Sequence, residues 1–338
     1  MPEPDTLPDS RAVPAPVAII IPCYRQAHLL GEALESCAAQ DSQPAEIIVV
    51  DDGSPDDVAA AVDPFAEQLP IRLVRRENGG LSAARNTGLA VSRSPYLVFL
   101  DADDRLCPGA VAAGLACLEA HAQAAFVWGG YRNMDVAGRY YGEPSLPVPG
   151  PEPLLDLLGG NVIGMHATVM YRRGPLSAAG GFAEELRACE DWDVYLRLAK
   201  MHEVASHRHI SADYRRHAGG MSRDLIRLID AGLAVLDAHR PGEDEPSSRH
   251  RAWRRGRRQI VGLNLQRAAA AGLKAASRGN WPEVLAAIRV ITRYLAILLT
   301  LGYPGNGPKL AGFAAPQPLA EAVLPETIGP ATTADERR

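Results

Sequence analysis

The sequence predicts an α/β fold in which a Rossmann-like, mostly parallel sheet is flanked by helices and followed by a helical C-terminal appendage. Between residues 17 and 100, short apolar runs alternate with segments of helical periodicity, which is typical of a parallel sheet covered on both faces. Beyond about residue 224, the chain is rich in alanine, and its apolar residues recur only at helical spacing. A chain of 338 residues, 47% of them hydrophobic, can bury one large core with a smaller appendage.

Four strands and two helices are predicted in the first hundred residues. Continuous apolar runs, which suit strands buried on both faces, mark Val17–Ile21, Ile47–Val50 and Tyr96–Leu100, and Ile71–Val74, which contains Arg72, is predicted as the third strand. Helical spacing marks Leu30–Cys37 and Leu81–Val91.

The pattern is looser in the rest of the chain. We predict helices at Gly109–Ala122 and Glu190–Lys200, extended segments at Ala125–Trp128, Val162–Tyr171 and Glu203–Tyr214, a hairpin at Ala137-Gly138 and a loop from Ser145 to Pro153. Residues 16–222 are interpreted as one α/β domain, and residues 223–313 as a helical region with helices at Trp253–Ala276 and Pro282–Leu301. Residues 1–15 and 314–338 lack periodicity and are expected to be disordered.

Composition limits the classes of protein and the compartment. The formal net charge of −5 argues against a nucleic-acid partner. Five cysteines without pairing pattern indicate reduced thiols in a cytoplasmic protein. The N-terminus does not resemble a signal peptide, and Arg289 and Arg293 interrupt the most apolar stretch, so no membrane-spanning helix is expected. Peripheral contact with the inner face of the membrane and formation of oligomers are both compatible with these features.

Acidic residues follow two of the predicted strands. Asp101 and Asp103 come after Tyr96–Leu100, and Asp51 and Asp52 end the second strand, so both pairs are expected in one crevice at the carboxyl edge of the sheet. Carboxylates two residues apart repel each other unless a cation lies between them, and Mg²⁺ or Mn²⁺ prefers such oxygen ligands. Asp51 or Asp52 could accept hydrogen bonds from a ribose or a base. The alternatives are a solvated acidic turn at the first pair and a tight turn at the second.

Four motifs in order resemble the family 2 glycosyltransferases, which are inverting enzymes of the GT-A fold. They are VAIIIPCY at residues 17–24, IIVVDDGS at 47–54, ENGGLSAARNTG at 77–88 and YLVFLDADD at 96–104. The resemblance covers about residues 17 to 220.

The resemblance implies a site for a nucleotide-sugar donor. The residues that it places against the base, the ribose or the rest of the donor are Pro22, Tyr24, Asp51, Asp52, Asn78, Gly80, Arg85 and Ala102. Glycine at 79 and 80 lets the backbone approach a ligand closely. An internal ion pair with one of the aspartates is the alternative for Arg85, and a half-buried aromatic is the alternative for Tyr24.

The resemblance also implies a catalytic base and a third metal ligand. Asp191 is expected to take the proton of the acceptor hydroxyl, with Glu190 and Trp192 on the acceptor side. Acidic residues here could instead favour the N-terminus of a helix. His217 is expected either to join Asp101 and Asp103 at the Mn²⁺ or Mg²⁺ site, or to bind the diphosphate beside Arg215 or Arg216; a surface histidine is the alternative.

The predicted function is metal-dependent, inverting transfer of a single sugar, expected from a UDP-sugar, to a hydroxyl of a saccharide or lipid-linked acceptor in cell-surface polysaccharide or glycoconjugate synthesis. The Q-x-x-R-W signature of processive synthases is absent, which favours transfer of one sugar or a few. A catalytically silent protein that binds nucleotide sugars is the alternative. The arginines between 249 and 258 and the apolar helix after Pro282 could dock on an anionic membrane.

Overall fold

A computed structural model of the chain describes residues 13–217 and 224–300. The predictions of disorder for residues 1–12 and 314–338, and the helical prediction for residues 301–313, therefore lie outside the described residues. Ala15, the last residue of the N-terminal segment predicted to be disordered, begins the first strand. The first half of the sheet consists of β1 (Ala15–Cys23), β2 (Pro44–Asp51), β3 (Ile71–Arg75) and β4 (Tyr96–Phe99). Helices α1 (Ala27–Ala38), α2 (Val58–Val62) and α3 (Leu81–Val91) connect them, and a 3₁₀ turn at Asp63–Phe65 follows α2.

The four N-terminal strands are parallel, in the order β3-β2-β1-β4. Residues 17–21 of β1 are completely buried. Side chains alternate across the sheet, so that Ile20 packs in one core and Ile19 and Ile21 pack in the other. Two covered faces explain the continuous apolar runs of β1, β2 and β4, whereas β3, at the edge of the sheet, is only partly buried and carries Arg72 and Arg75. The strand and helix predictions for this half are confirmed.

The second half of the sheet is mixed. Its elements are β5 (Arg105–Leu106), α4 (Ala110–Ala120), β6 (Ala124–Met134), β7 (Tyr140–Ser145), α5 (Pro153–Gly159), β8 (Val169–Arg172), α6 (Arg173–Ala178), α7 (Glu190–Met201) and β9 (Glu203–Arg215). Strand β8 is antiparallel to both β4 and β6, whereas β6 and β9 are parallel. The full order is β3-β2-β1-β4-β8-β6-β9-β5, with β7 paired to β6. The α/β architecture is as predicted. The pairs among β1 to β4 are all parallel, whereas the second half contains both parallel and antiparallel pairs.

The extended segment predicted at Val162–Tyr171 is wrong in its first part. Only β8, from Val169, is a strand, and a 3₁₀ turn at His166–Thr168 precedes it. The Asn161 side chain accepts hydrogen bonds from the N–H groups of Ile163 and Gly164, both 3.2 Å long. This turn competes with strand formation, because the Asn161 side chain accepts hydrogen bonds from backbone N–H groups that would otherwise pair with a neighbouring strand.

The C-terminal region consists of α8 (Leu225–Ala238), α9 (Ser247–Ala276) and α10 (Trp281–Thr300). Val235 and Leu236 of α8 belong to the same buried cluster as the sheet, and His239, just after α8, bonds Asp193 of α7 at 2.8 Å. Helix α9 begins six residues before the predicted start at Trp253. No helix within the described ranges is both long and apolar enough to cross a membrane. All five cysteines are free thiols.

Gly256 lies where α9 contacts α5. A Cβ at this position would collide with the carbonyl oxygen of Leu158, which is backbone and cannot move aside like a side chain. We expect Gly256→Ala to lower the free energy of unfolding by about 1–3 kcal/mol through overpacking. Gly262→Ala is the matched control in the same helix, because a Cβ there would have no neighbour within 4 Å, and it should raise the value by up to about 1 kcal/mol. Urea unfolding measures both; equal effects would contradict a close contact at Gly256.

Candidate functional site

The carboxyl ends of β1, β2 and β4 lie side by side at one edge of the sheet. Strand β1 is central, with Cys23 opposite Asp51 of β2 and Ile20 opposite Phe99 of β4. The acidic residues that follow β2 and β4 therefore leave the sheet at the same edge, as expected from their position at strand ends.

Asp51 and Asp52 are both buried and organise backbone around the crevice. Asp51 Oδ1 accepts the N–H of Ser54 at 2.7 Å, which is the contact expected of a tight turn after β2. Asp52 accepts the N–H groups of Gly79 and Gly80 at 3.0 and 2.8 Å, and the Asn78 side chain donates to the Asp52 carbonyl. The Asn78–Gly80 loop is thus held in place by Asp52, at the position that the resemblance assigns to the nucleotide.

Arg85 is an internal bridge between the two halves of the site. Its side chain is 2% exposed, with one nitrogen 2.8 Å from Asp101 Oδ1 and another 2.6 Å from Glu190 Oε1. This contact corresponds to the ion-pair alternative, and it leaves the guanidinium facing protein carboxylates rather than a nucleotide. Arg85 therefore links the loop after β4 to the N-terminus of α7.

The loop after β4 carries three carboxylates of different exposure. Asp101 and Asp103 keep 30% and 15% of their side chains exposed, whereas Asp104 is buried and accepts the N–H of Arg215. Burial, followed by the charge of Asp101, raises the pKa of Asp103, and His217 opposes this shift. The Nε2 atom of His217 lies 2.8 Å from Asp103 Oδ2.

This donor set fits a hard divalent cation. Carboxylates are ligands that Mn²⁺ or Mg²⁺ prefers, and a cation between Asp101 and Asp103 would offset the charge of Asp101, which adds to burial in raising the pKa of Asp103. Within residues 13–217 and 224–300, no three His, Cys, Asp or Glu side chains are grouped so that they could hold a metal ion. His217 is occupied with Asp103, and a cation would need further oxygens, which phosphate groups of a ligand could supply.

Asp191 stands in the first turn of α7. Its Oδ1 accepts the N–H of Trp192 at 2.7 Å, and the hydroxyl of Tyr195 lies 3.5 Å from its Oδ2. Burial, followed by the charge of Glu190, raises the pKa of Asp191 to about 6, although Arg85 and a hydrogen bond from Asn161 act in the opposite direction. A carboxylate of this kind is ionised at neutral pH and is more basic than an ordinary aspartate.

Several of the predicted contacts differ in the structure. Trp192 is 1% exposed and its indole N–H donates to the carbonyl of Leu157, so it anchors α7 in the core and does not face an acceptor. Ala102 is completely buried and Pro22 is buried as well, so neither residue presents a substantial exposed surface to a nucleotide. Tyr24 is 40% exposed, which is compatible both with a contact to the nucleotide base and with the alternative of a half-buried aromatic. Arg215 is committed to Glu32 and to the backbone of Asp103.

The comparisons with known proteins agree on one family. The profile described as Glycosyl transferase family 2 matches residues 18–180. The succinoglycan biosynthesis protein ExoU of Rhizobium meliloti (strain 1021) is 32% identical over 275 residues, which cover 74% of this chain and 78% of ExoU. The chain belongs to glycosyl transferase family 2. It is a glycosyltransferase.

Solved structures show the same fold for this family 2 glycosyltransferase. S. aureus TarS 1-349, in complex with UDP-GlcNAc, superposes with a TM-score of 0.59 at 17% identity, covering 82% of this chain and 91% of that one. The mannosyltransferase PcManGT from Pyrobaculum calidifontis, in complex with GDP-Man and Mn²⁺, gives a TM-score of 0.57 at 23% identity, covering 89% and 88%. The predicted GT-A fold is confirmed.

A buried polar cluster behind Asp191 was not predicted for this family 2 glycosyltransferase. His166 Nε2 lies 2.9 Å from the Tyr171 hydroxyl, and the Tyr171 and Tyr195 rings are nearly parallel, with centroids 6.5 Å apart. Burial, followed by the charge of Arg85, lowers the pKa of His166 well below its usual value, so the ring is neutral. Of these residues, only Tyr195 could have been linked to Asp191 from the sequence, because it stands four residues later on the same face of the predicted helix.

Proposed function

We propose that this glycosyltransferase transfers a single sugar, with inversion, from a nucleotide sugar to a hydroxyl of a saccharide or lipid-linked acceptor. The observation that carries the proposal is the pair of acidic centres, Asp101 with Asp103 and Asp191, joined at one edge of the sheet by Arg85. The two centres correspond to the two things that the reaction needs, a place for a diphosphate with its cation and a base for the acceptor.

Asp101 and Asp103 would hold Mn²⁺ or Mg²⁺ on the donor side. The bound cation supplies charge neutralisation for the nucleoside diphosphate as it leaves. Asp52 holds the Asn78–Gly80 loop so that its backbone can approach the nucleotide. The solved relatives bind UDP-GlcNAc and GDP-Man, so a nucleotide-sugar donor is supported. A UDP-sugar remains our expectation.

Asp191 would act as the base on the acceptor side. It takes the proton from the acceptor hydroxyl while that oxygen forms a bond to the anomeric carbon and the bond from that carbon to the diphosphate breaks. Attack from the face opposite the diphosphate inverts the configuration. ExoU acts in succinoglycan biosynthesis according to its name, which supports a role of this chain in cell-surface polysaccharide or glycoconjugate synthesis.

A screen of UDP-, dTDP- and GDP-sugars for release of nucleoside diphosphate tests the metal centre. We expect release to require Mn²⁺ or Mg²⁺, to stop with a chelator, and to fall by a factor on the order of 10² or more in Asp103→Ala, because charge on the leaving group is then poorly neutralised. Asp135→Ala, in the hairpin between β6 and β7, is the matched control and should keep wild-type activity. Equal rates with and without metal would contradict this part of the proposal.

A further inference from the structure

Helix α10 carries an apolar stripe that faces solvent. Its members Trp281, Leu285, Ile288 and Leu295 are 66%, 56%, 48% and 44% exposed. They are spaced by four, three and seven residues, which places them on one side of a helix. We call these four residues the α10 stripe. Exposed leucines are ordinary when single, but four large apolar side chains on one face of a helix, one of them tryptophan, indicate a contact surface.

The other side of α10 is already committed to the protein. Ala287, Val290 and Tyr294 are buried, and the last two lie in a cluster shared with α8 and α9. The Tyr294 hydroxyl bonds Asp230 of α8 at 2.7 Å. Because α10 is held against the protein by this side, the stripe can enter a partner only to the depth of its side chains.

The surroundings of the stripe are strongly basic. Residues 246–300 contain eleven Arg or Lys residues and a single acidic residue, Glu283, in a chain whose formal net charge is −5. The exposed basic residues of α9, α10 and the turn between them include Arg267, Lys274, Arg278 and Arg289. The partner must therefore offer both an apolar phase and negative charge.

The basic cluster considered in the sequence around Trp253 is less suited to docking. The Trp253 indole N–H donates to the Leu236 carbonyl, and Arg257 is buried against Asp237. Arg249 pairs with Glu245. Trp253, Arg249 and Arg257 thus hold α9 in place. The other arginines of the cluster are exposed, but no large apolar side chain between residues 249 and 258 is exposed beside them, so the apolar part of the contact surface is the α10 stripe.

We infer that the α10 stripe docks this glycosyltransferase on an anionic lipid bilayer. Tryptophan and aliphatic side chains enter the boundary of the headgroups, and arginine and lysine beside them are attracted by anionic lipid. A second copy of the chain would bring the same basic charge to an isologous contact, where it repels. Residues 301–338, with three basic and four acidic residues, lack the charge to complement this surface. The inference does not depend on the proposed metal or base.

Co-sedimentation of the full chain with vesicles tests the inference. We expect pelleting with vesicles that mix phosphatidylglycerol and phosphatidylcholine, little with phosphatidylcholine alone, and weaker pelleting as salt rises. The double variant Leu285→Glu/Ile288→Glu should lose binding by about tenfold or more, and Arg289→Glu should lose it by a few fold. Met201→Glu is the matched control, because Met201 is apolar and 75% exposed at the end of α7.

Three results would overturn the inference. They are wild-type protein that stays in the supernatant with anionic vesicles, a double variant that binds like the wild type, and a wild-type dimer that the double variant converts to monomer without loss of lipid binding. Circular dichroism melting shows that the variants fold. Metal-dependent release of nucleoside diphosphate should stay at the wild-type rate in the double variant, so loss of docking is distinguishable from failure of the proposed chemistry.

Discussion

Asp191→Asn should lower the rate of sugar transfer by a factor on the order of 10²–10⁴, because an amide cannot take the proton of the acceptor hydroxyl. The substitution keeps the size of the side chain and the hydrogen bond from the Trp192 N–H. Affinity for the nucleotide sugar should change little, since the proposed role of Asp191 is on the acceptor side. Steady-state transfer and donor binding by calorimetry separate the two effects.

The wild-type pH profile provides a second readout for the same residue. Because the pKa of Asp191 is raised to about 6, kcat/KM should fall as the pH drops below about 6, tenfold per pH unit, while the base becomes protonated. Asp191→Asn should lack this limb in its residual activity. Full transfer by Asp191→Asn, or a profile that is flat to pH 5, would contradict the assignment of the base.

The same substitution should stabilise the protein at neutral pH. The native carboxyl binds its proton more tightly than the unfolded one, so ionisation of Asp191 opposes folding, and stability is lost as the pH rises between about 4 and 6. At pH 7 the amide avoids this loss, and the free energy of unfolding should rise by up to roughly 3 kcal/mol. Asp41→Asn, at an exposed position, is the control. Urea unfolding at pH 7 and pH 4 measures the difference, which should shrink at pH 4.

Arg85→Met should be among the most destabilising single changes in the chain. The guanidinium is the cation beside Glu190, which is buried, and beside Asp101. Its removal leaves a buried carboxylate uncompensated, which costs about 3–5 kcal/mol of unfolding free energy. Transfer activity should also be lost, because the loop after β4 and the N-terminus of α7 are then no longer tied together.

A double variant shows whether the cost arises from the buried charge. Arg85→Met/Glu190→Gln should recover much of the lost stability, since a neutral amide replaces the unpaired carboxylate. Arg139→Met is the matched control, because Arg139 pairs with Asp135 at the surface with 81% of its side chain exposed, and such pairs contribute about 0–1 kcal/mol. Additive losses in the double variant would argue against an ion pair between Arg85 and Glu190.

The elements that were predicted correctly share one physical property. Their buried residues recur at the regular spacing of a strand or a helix. Strands β1, β2 and β4 contain continuous apolar runs because helices cover both faces of the sheet there. Helix α7 was likewise predicted almost to its ends. Short elements were missed, among them α2 and α6, because five or six residues contain too little of the helical period to be distinguished.

The environments of the site residues could not be predicted in the same way. Arg85 and Glu190 are 105 residues apart in the chain, and nothing local to either indicates that they are partners. His166 and Tyr171 form a buried pair behind Asp191 only because β8 is inserted between β4 and β6. Trp192 shares a motif with Asp191 but points into the core, since successive residues of a helix face different directions.

The sequence by itself determined the family, the α/β architecture of the first hundred residues and the presence of acidic residues at strand ends, because those depend on local order along the chain. Only the tertiary structure decided that Arg85 bridges Asp101 and Glu190, that Asp52 holds the Asn78–Gly80 loop, and that the α10 stripe is exposed. The reason is that charge pairing and exposure depend on which distant segments pack together, and packing is a property of the folded chain as a whole.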